Sequence, residues 1–223
     1  MTTTFRLGLA LVAGLALTAC GTEKSPILEL VKDLPSTFSG KKDDGAAGGV
    51  TPQQISGMLA ATDAPIEFFQ FEARKAQFMM LEIERNGPYQ SYGSSTRQGI
   101  VLRRGMITAT RGFGGDLMNV EEDALYRLVQ ARRAGSAPYQ QRFLTQEDVT
   151  ETKSYNCDVT TGARQQVTAG EIYSSGTVVT ALCRGEGVKF TNAYIVDNAG
   201  NILSGRQWIG FGIGYVINQA LRR

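Results

Sequence analysis

The sequence predicts a mainly β protein: an antiparallel β-sandwich or half-open, barrel-like domain with a few short peripheral helices. Three observations carry this expectation. Short apolar runs recur along most of the chain, separated by turns rich in Gly, Asn and Asp. Asn86-Gly87 and Arg104-Gly105 each lie between two such runs, and Asn-Gly is the strongest short-range hairpin signal. Few segments have the caps and periodicity of a helix, and many strands with frequent turns indicate a sandwich or barrel.

The N-terminus reads as a leader. Residues 7–19 form a run of thirteen apolar or small residues with Thr18 among them, too short for the roughly twenty that span a bilayer. With Arg6 ahead of it, this run has the build of a secretory signal peptide. Its exit, Leu17-Thr18-Ala19-Cys20, resembles the bacterial lipobox, in which small residues precede an obligatory cysteine. The resemblance implies cleavage after Ala19, a diacylglycerol thioether on Cys20, and acylation of the new amine by a chain such as palmitate. An accidental cysteine behind an ordinary leader is the alternative, disfavoured by its position, spacing and neighbours. Each buried acyl methylene contributes about 0.8 kcal/mol, so two or three chains make a lasting anchor. Gly21, where Asp is the retention signal of enteric bacteria, favours the outer membrane by resemblance to that sorting rule.

The expected organisation is a signal peptide over 1–19, a lipidated N-terminus and flexible tether over 20–50, and a single β domain over 51–223. Within the tether, residues 27–34 form a short amphipathic stretch between Pro26 and Pro35, followed by the glycine-rich KKDDGAAGG. Thr51 as N-cap with Pro52 at the first helical position opens a helix that Pro65 closes. The segments PIEFFQFEA, AQFMMLEIERNGPYQSY and RQGIVLRRGMITATRGFGG have strand character. A second helix is expected with Asn119 as its cap, acids 121–123 in its first turn, Arg132 and Arg133 in its last, and Gly135 as the stop. Its apolar face is Leu125, Leu128 and Val129. Strands are expected near 141–144, 155–159, 166–167, 177–183, 188–196 and 202–209, with a turn at 197–200. The closing GYVINQALRR is read as a short helix.

Composition removes several function classes. The 23 Lys and Arg nearly balance the 21 Asp and Glu, and no basic block stands out, so nothing draws nucleic acid. The chain has no histidine, which removes the usual general base and the commonest metal ligand. No metal site and no cofactor are expected. Two cysteines remain after Cys20. In an oxidising envelope compartment Cys157 and Cys183 read as a structural disulfide worth roughly 3 kcal/mol, whereas a metal or redox pair lacks its usual C-x-x-C or His companions.

RGFGGDL, residues 111–117, invites comparison with a phosphate-binding loop, but lacks Gly-Lys-Ser/Thr and the parallel βαβ setting. A tightly bent or mobile connection from a strand to the Asn119 helix is the expectation. Asp116, Asp158, Glu171, Glu186 and Asp197 are the carboxylates available for glycosidase chemistry, yet no local pattern pairs them. No catalytic residue is assigned. Flat rings stack on sugars, so Tyr194 and Trp208, with Arg111 and Asp116, are the candidate glycan or partner contacts; a core role for Trp208 is the competing reading.

The lipobox at Cys20, RGMITATRGFGGDL, the Cys157 and Cys183 pair, KFTNAYIVDNAGNILSGRQWIG and GYVINQALRR together resemble the YjbF-type lipoprotein family, the group 4 capsule lipoproteins, over most of 52–221. That resemblance implies a mainly β, half-barrel-like domain associated with exopolysaccharide or capsule production and export. It supplies no catalytic residues. The resulting expectation is a non-enzymatic outer-membrane lipoprotein facing the periplasm, held to the membrane by lipid, with polysaccharide or export-machinery proteins as partners. The alternatives are a periplasmic carbohydrate-modifying enzyme and a structural envelope lipoprotein with protein partners only.

Overall fold

The computed structural model describes residues 49–145 and 149–223. The expected leader, Cys20, and the tether through residue 48, with its amphipathic stretch, lie outside the described residues.

One twelve-stranded antiparallel sheet makes the domain, in the order β5-β4-β3-β2-β1-β12-β11-β10-β9-β8-β7-β6. The first five strands are β1 (Ile66–Phe71), β2 (Ala76–Asn86), β3 (Tyr89–Gly93), β4 (Gly99–Arg103) and β5 (Met106–Arg111). After β6 (Leu117–Glu121) comes a helix, and then β7 (Gly135–Leu144), β8 (Thr150–Ala169) and β9 (Ile172–Gly185). β10 (Val188–Val196), β11 (Ile202–Trp208) and β12 (Tyr215–Arg222) complete the sheet. Sequence neighbours pair as hairpins, and the β1–β12 ladder joins the chain's two halves. Because all pairing is antiparallel, the odd-numbered strands finish at one end of the barrel, here called the upper end. The even-numbered strands finish at the lower end.

The sheet rolls up until its edges β5 and β6 meet without a backbone ladder. Side chains close the seam. Thr110 Oγ1 accepts from Leu117 N at 2.9 Å, and the Arg111 guanidinium donates to the carbonyls of Leu117 and Met118 at 3.1 and 3.3 Å. Deeper inside, β5 lies over β11, where the buried Gln207 carboxamide accepts from Ile107 N at 2.7 Å and donates to Ile107 O at 3.3 Å. A sheet edge inside a protein must find partners for its backbone groups, and these amides supply them.

Alternation within each strand sorts the residues. On β1, Phe69 and Phe71 enter the barrel with Met80, Ile107, Tyr194 and Val216, while Ile66 and Phe68 face outward. Burying each such side chain is worth about 1.5–3 kcal/mol. The outward face is covered in two places. Helix α1 (Pro52–Ala61) lays Ile55 and Met58 on Ile66, Phe68 and Leu221. The long β8–β9 hairpin bends back so that Val167 and Ile172 cover Ala193, Ile195, Leu203 and Ile217. At that bend Gly176 is essential, since a Cβ there would stand 2.7 Å from the Val196 carbonyl. Arg222 ties these covers together, donating to Leu59 O at 2.8 Å and to Glu171 Oε2 at 2.7 Å.

Thr51 does cap α1. Its hydroxyl accepts from Gln54 N at 3.2 Å while Gln54 Oε1 accepts from Thr51 N at 2.8 Å, a complete capping box. Cys157 and Cys183 are joined as a disulfide across the β8–β9 ladder, where they are direct partners. Both hairpin turns, at Asn86-Gly87 and Arg104-Gly105, join consecutive strands.

Three local expectations are corrected. The second helix, α2 (Asp123–Gln130), begins later than expected, with Glu122 as N-cap; Asn119 belongs to β6 and Gly135 opens β7. RGFGGDL therefore links two strands rather than a strand and a helix. GYVINQALRR is the strand β12, not a helix: Val216 and Asn218 face the barrel interior while Ile217 packs outward. Burial on both faces removes the polar alternation that marks a half-exposed strand.

Candidate functional site

The residues expected to contact ligand do not come together. Tyr194 is corrected outright: it is 0 % exposed inside the barrel, held there because residue 194 alternates inward on β10. Burial pushes its hydroxyl well above the usual phenol range. Arg111 and Asp116 are engaged in the glycine loop. The backbone of Gly112, Gly114 and Gly115 has φ of +83°, +74° and +74°, the left-handed region that favours glycine. Asp116 gathers that loop, accepting from Gly112 N at 2.9 Å, from Phe113 N at 3.2 Å and from the Thr110 hydroxyl at 2.9 Å. The loop's amides are thus turned inward on a carboxylate, which is no arrangement for phosphate. Gly115 packs so tightly on the 209–214 connection that an added Cβ would lie 2.9 Å from Gly212 Cα.

Trp208 is half-buried at the upper end in an aromatic group. Its ring centroid lies 5.5 Å from Phe211, 5.2 Å from Tyr215 and 6.2 Å from Phe190. The Arg206 guanidinium lies 3.5 Å above the Tyr215 ring and forms a double hydrogen bond with Glu72 at 2.6 and 2.7 Å. Burial opposes the Arg206 charge, but the Glu72 carboxylate more than offsets it and raises its pKa. Phe211 is 77 % exposed, so this group ends in solvent.

The five carboxylates considered for glycosidase work are spread over the molecule. Asp116 and Glu186 lie in upper-end connections, Glu171 and Asp197 in lower-end ones. Asp158, on the flank of β8, accepts from Ser136 at 2.6 Å and Arg184 at 2.7 Å. Glu171 is held by Arg222, and Asp197 by Asn201 and Arg223. Among the described residues no group of three or more acids and cysteines is placed to hold a metal.

A shallow cleft of about 360 Å³ opens where β6 passes into α2, lined by Tyr89, Asn119, Glu121, Glu122, Asp123 and Arg142. Rolling of the sheet builds it, because Tyr89 of β3 reaches the cleft only when the β5–β6 seam closes. Glu122, 4 % exposed, is the buried pivot. It accepts from the Tyr89 hydroxyl at 3.0 Å and from Arg103 at 2.9 Å, and Arg103 also grips Asp123. Arg103 stacks 4.2 Å above the Tyr126 ring. Burial opposes the Arg103 charge, but Asp123 and Glu122 more than offset it and raise its pKa. Arg103 in turn holds the Asp123 carboxyl below the usual carboxylate range. On the rim, Arg142 donates to Asn119 Oδ1 at 3.0 Å and Glu121 Oε1 at 2.8 Å. The cleft thus presents an exposed phenol ring, a guanidinium, a carboxamide and carboxylates, a donor and acceptor set suited to hydroxyl groups. The sequence carried no local signal for it. In sequence Asn119 and Glu121 read as a helix start, and Tyr89 and Arg142 stand far apart in the chain.

Among the described residues no helix is long and apolar enough to cross a membrane. No curated protein matches the chain in sequence. The crystal structure of the hypothetical lipoprotein YmcC from Escherichia coli (K12) is similar in fold, with a TM-score of 0.66 at 12 % identity, covering 77 % of this chain and 90 % of that one. The sequence model of the family described as "Group 4 capsule polysaccharide lipoprotein gfcB, YjbF" matches residues 36–221. With the rolled antiparallel sheet and that match across most of its length, the chain belongs to the YjbF family of group 4 capsule polysaccharide lipoproteins.

Proposed function

We propose that this protein is a lipid-anchored outer-membrane lipoprotein, acylated at Cys20 and facing the periplasm, that assists assembly or export of an extracellular polysaccharide without catalysing a reaction. The observation that carries this reading is the family match over residues 36–221. The lipobox-like exit of the leader supports the anchor. The scatter of Asp116, Asp158, Glu171, Glu186 and Asp197 over the molecule supports an accessory role over a carbohydrate-modifying enzyme built on those acids, since glycosidases need two facing acids about 5–10 Å apart.

The interior is filled with side chains, so a polymer meets this protein on its surface. The Tyr89–Arg142 cleft is the proposed contact for glycan or for an export partner. Its exposed ring can stack on a sugar face, while Arg142, Asn119 and Glu121 address hydroxyl groups.

Deleting the gene and measuring surface polysaccharide tests the role. The expected result is loss of polymer, restored by the wild-type chain and only weakly by a Tyr89→Ala, Arg142→Ala double variant that reaches normal levels in the envelope. Normal polysaccharide in the deletion strain would count decisively against the proposal. Full restoration by the double variant would remove the cleft from it and leave the accessory role.

A further inference from the structure

We propose that the Tyr89–Arg142 cleft selects neutral sugar units and turns away those that carry a carboxylate. The inference rests on the reading of this cleft as a glycan contact and adds the class of sugar to it.

The first observation is that the charges at the cleft are already matched. Its lining holds three carboxylates, Glu121, Glu122 and Asp123, and one cation, Arg142. Arg142 is paired with Glu121 at 2.8 Å. The largely covered Arg103 is paired with Glu122 at 2.9 Å and with Asp123, and Arg127 lies 3.6 Å from Asp123. An anionic sugar needs an uncommitted cation, best a guanidinium that can grip both of its oxygens. Here its carboxylate would have to displace Glu121 from Arg142 and then lie beside it, and like charges brought together at an interface disfavour the complex. Arg104 and Arg133 are exposed and make no ion pair among the described residues, but neither lines the cleft.

The second observation is what remains for hydrogen bonding. Arg142 uses Nη1 for both Asn119 Oδ1 and Glu121 Oε1. Its other N–H groups, Asn119 Nδ2 and Glu121 Oε2 make no hydrogen bond among the described residues. A guanidinium only donates and a carboxylate only accepts, so a ligand that satisfies both must do each. A sugar hydroxyl does both at once, without bringing charge.

The third observation is the ring. Tyr89 is 36 % exposed, its hydroxyl donates to Glu122 at 3.0 Å, and the Arg103 guanidinium lies 5.9 Å from the ring centroid. Held at both places, the ring keeps an open face for the apolar side of a pyranose. Burial and the Glu122 carboxylate raise the pKa of the phenol, so it stays a neutral donor.

The probe is the extracellular polysaccharide of the producing strain in two matched forms. In one its carboxyl groups are reduced to alcohols, and in the other its primary hydroxyls are oxidised to carboxylates. Binding of each to the full-length protein, purified from membranes in detergent, is measured by biolayer interferometry. The neutral form is expected to bind about tenfold more tightly than the oxidised form, or more. Glu121→Gln releases Arg142 from its carboxylate and is expected to recover most of the oxidised form's lost affinity. Tyr89→Ala is expected to weaken the neutral form about tenfold. Equal or tighter binding of the oxidised form by wild type overturns the selection. An oxidised form that binds Glu121→Gln no better than wild type overturns the charge matching as its cause. Neutral-form binding unmoved by Tyr89→Ala, or no binding of either form, removes the cleft as a glycan contact and this inference with it. The accessory role then stands or falls separately, on the polysaccharide of the deletion strain.

Discussion

The Gln207 carboxamide holds both backbone groups of Ile107, one hundred residues away, taking the place of a neighbouring strand at the open edge of β5. Replacement by Leu keeps most of the volume and leaves a buried N–H and C=O without partners, each costing about 1–3 kcal/mol. Gln207→Leu is therefore expected to lower stability by about 2–4 kcal/mol in urea titration. A change below about 0.5 kcal/mol, the ordinary scatter of surface substitutions, would contradict this account of the seam.

A second buried group makes stability depend on pH. Glu67 is 3 % exposed, and burial pushes its carboxyl up to about 8, only partly opposed by a 2.8 Å hydrogen bond from Asn218 and by the charge of Arg223. The folded protein thus holds a proton that the unfolded chain, with its ordinary value of 4.5, releases. Its contribution is fully present below about pH 4.5 and falls as pH rises toward about 8. Glu67→Gln removes that loss. Against wild type the variant is expected to be about equal near pH 4.5 and more stable above pH 8, by on the order of several kcal/mol. Parallel stability curves for the two proteins across this range would refute the assignment.

Breaking the Cys157–Cys183 bridge releases a loop of sequence separation 26 in the unfolded chain. The chain-entropy estimate for such a loop is roughly 3 kcal/mol. The Cys157→Ala, Cys183→Ala double variant is expected to unfold at correspondingly lower denaturant, and dithiothreitol to shift wild type but not the variant. A wild-type transition indifferent to reductant, with thiol counting showing the cysteines reduced, would contradict it.

Asp116 separates a structural role from a ligand contact. The carboxylate collects Gly112 N, Phe113 N and the Thr110 hydroxyl, and so shapes the loop that spans β5 and β6. Asp116→Ala is expected to destabilise the domain by about 1–3 kcal/mol and to speed hydrogen exchange over 110–117. Unaltered stability and exchange would mean that the glycine loop holds itself.

Much of the fold was legible because its signals are local. β10 occupies the expected 188–196, and Thr51-Pro52 with Gln54 opens a helix by short-range hydrogen bonds. Asn86-Gly87 and Arg104-Gly105 needed only the conformational freedom of glycine; Gly87 and Gly105 have φ of +56° and +94°. β12 was misread because its Ala, Leu, Gln and Arg favour helices in isolation, whereas pairing with β1 and β11 decides its state. The aromatics were misassigned for a related reason. Tyr194 and Trp208 are equally plausible sugar platforms in sequence, but alternation on β10 turns the first inward, and Trp208 ends its strand at the rim. The cleft was illegible since Arg142 meets Asn119 only through the β6–β7 ladder and Tyr89 meets Glu122 only through closure of the seam, and no spacing encodes either meeting.

Mass spectrometry of the mature protein, extracted from the envelope that makes it, tests the central claim most directly. The account expects residues 1–19 to be absent and an N-terminal peptide beginning at Cys20 to carry a diacylglyceryl thioether. An intact leader, or an unmodified Cys20 on a chain recovered from the cytoplasm, would contradict the anchor and every statement about function that depends on it.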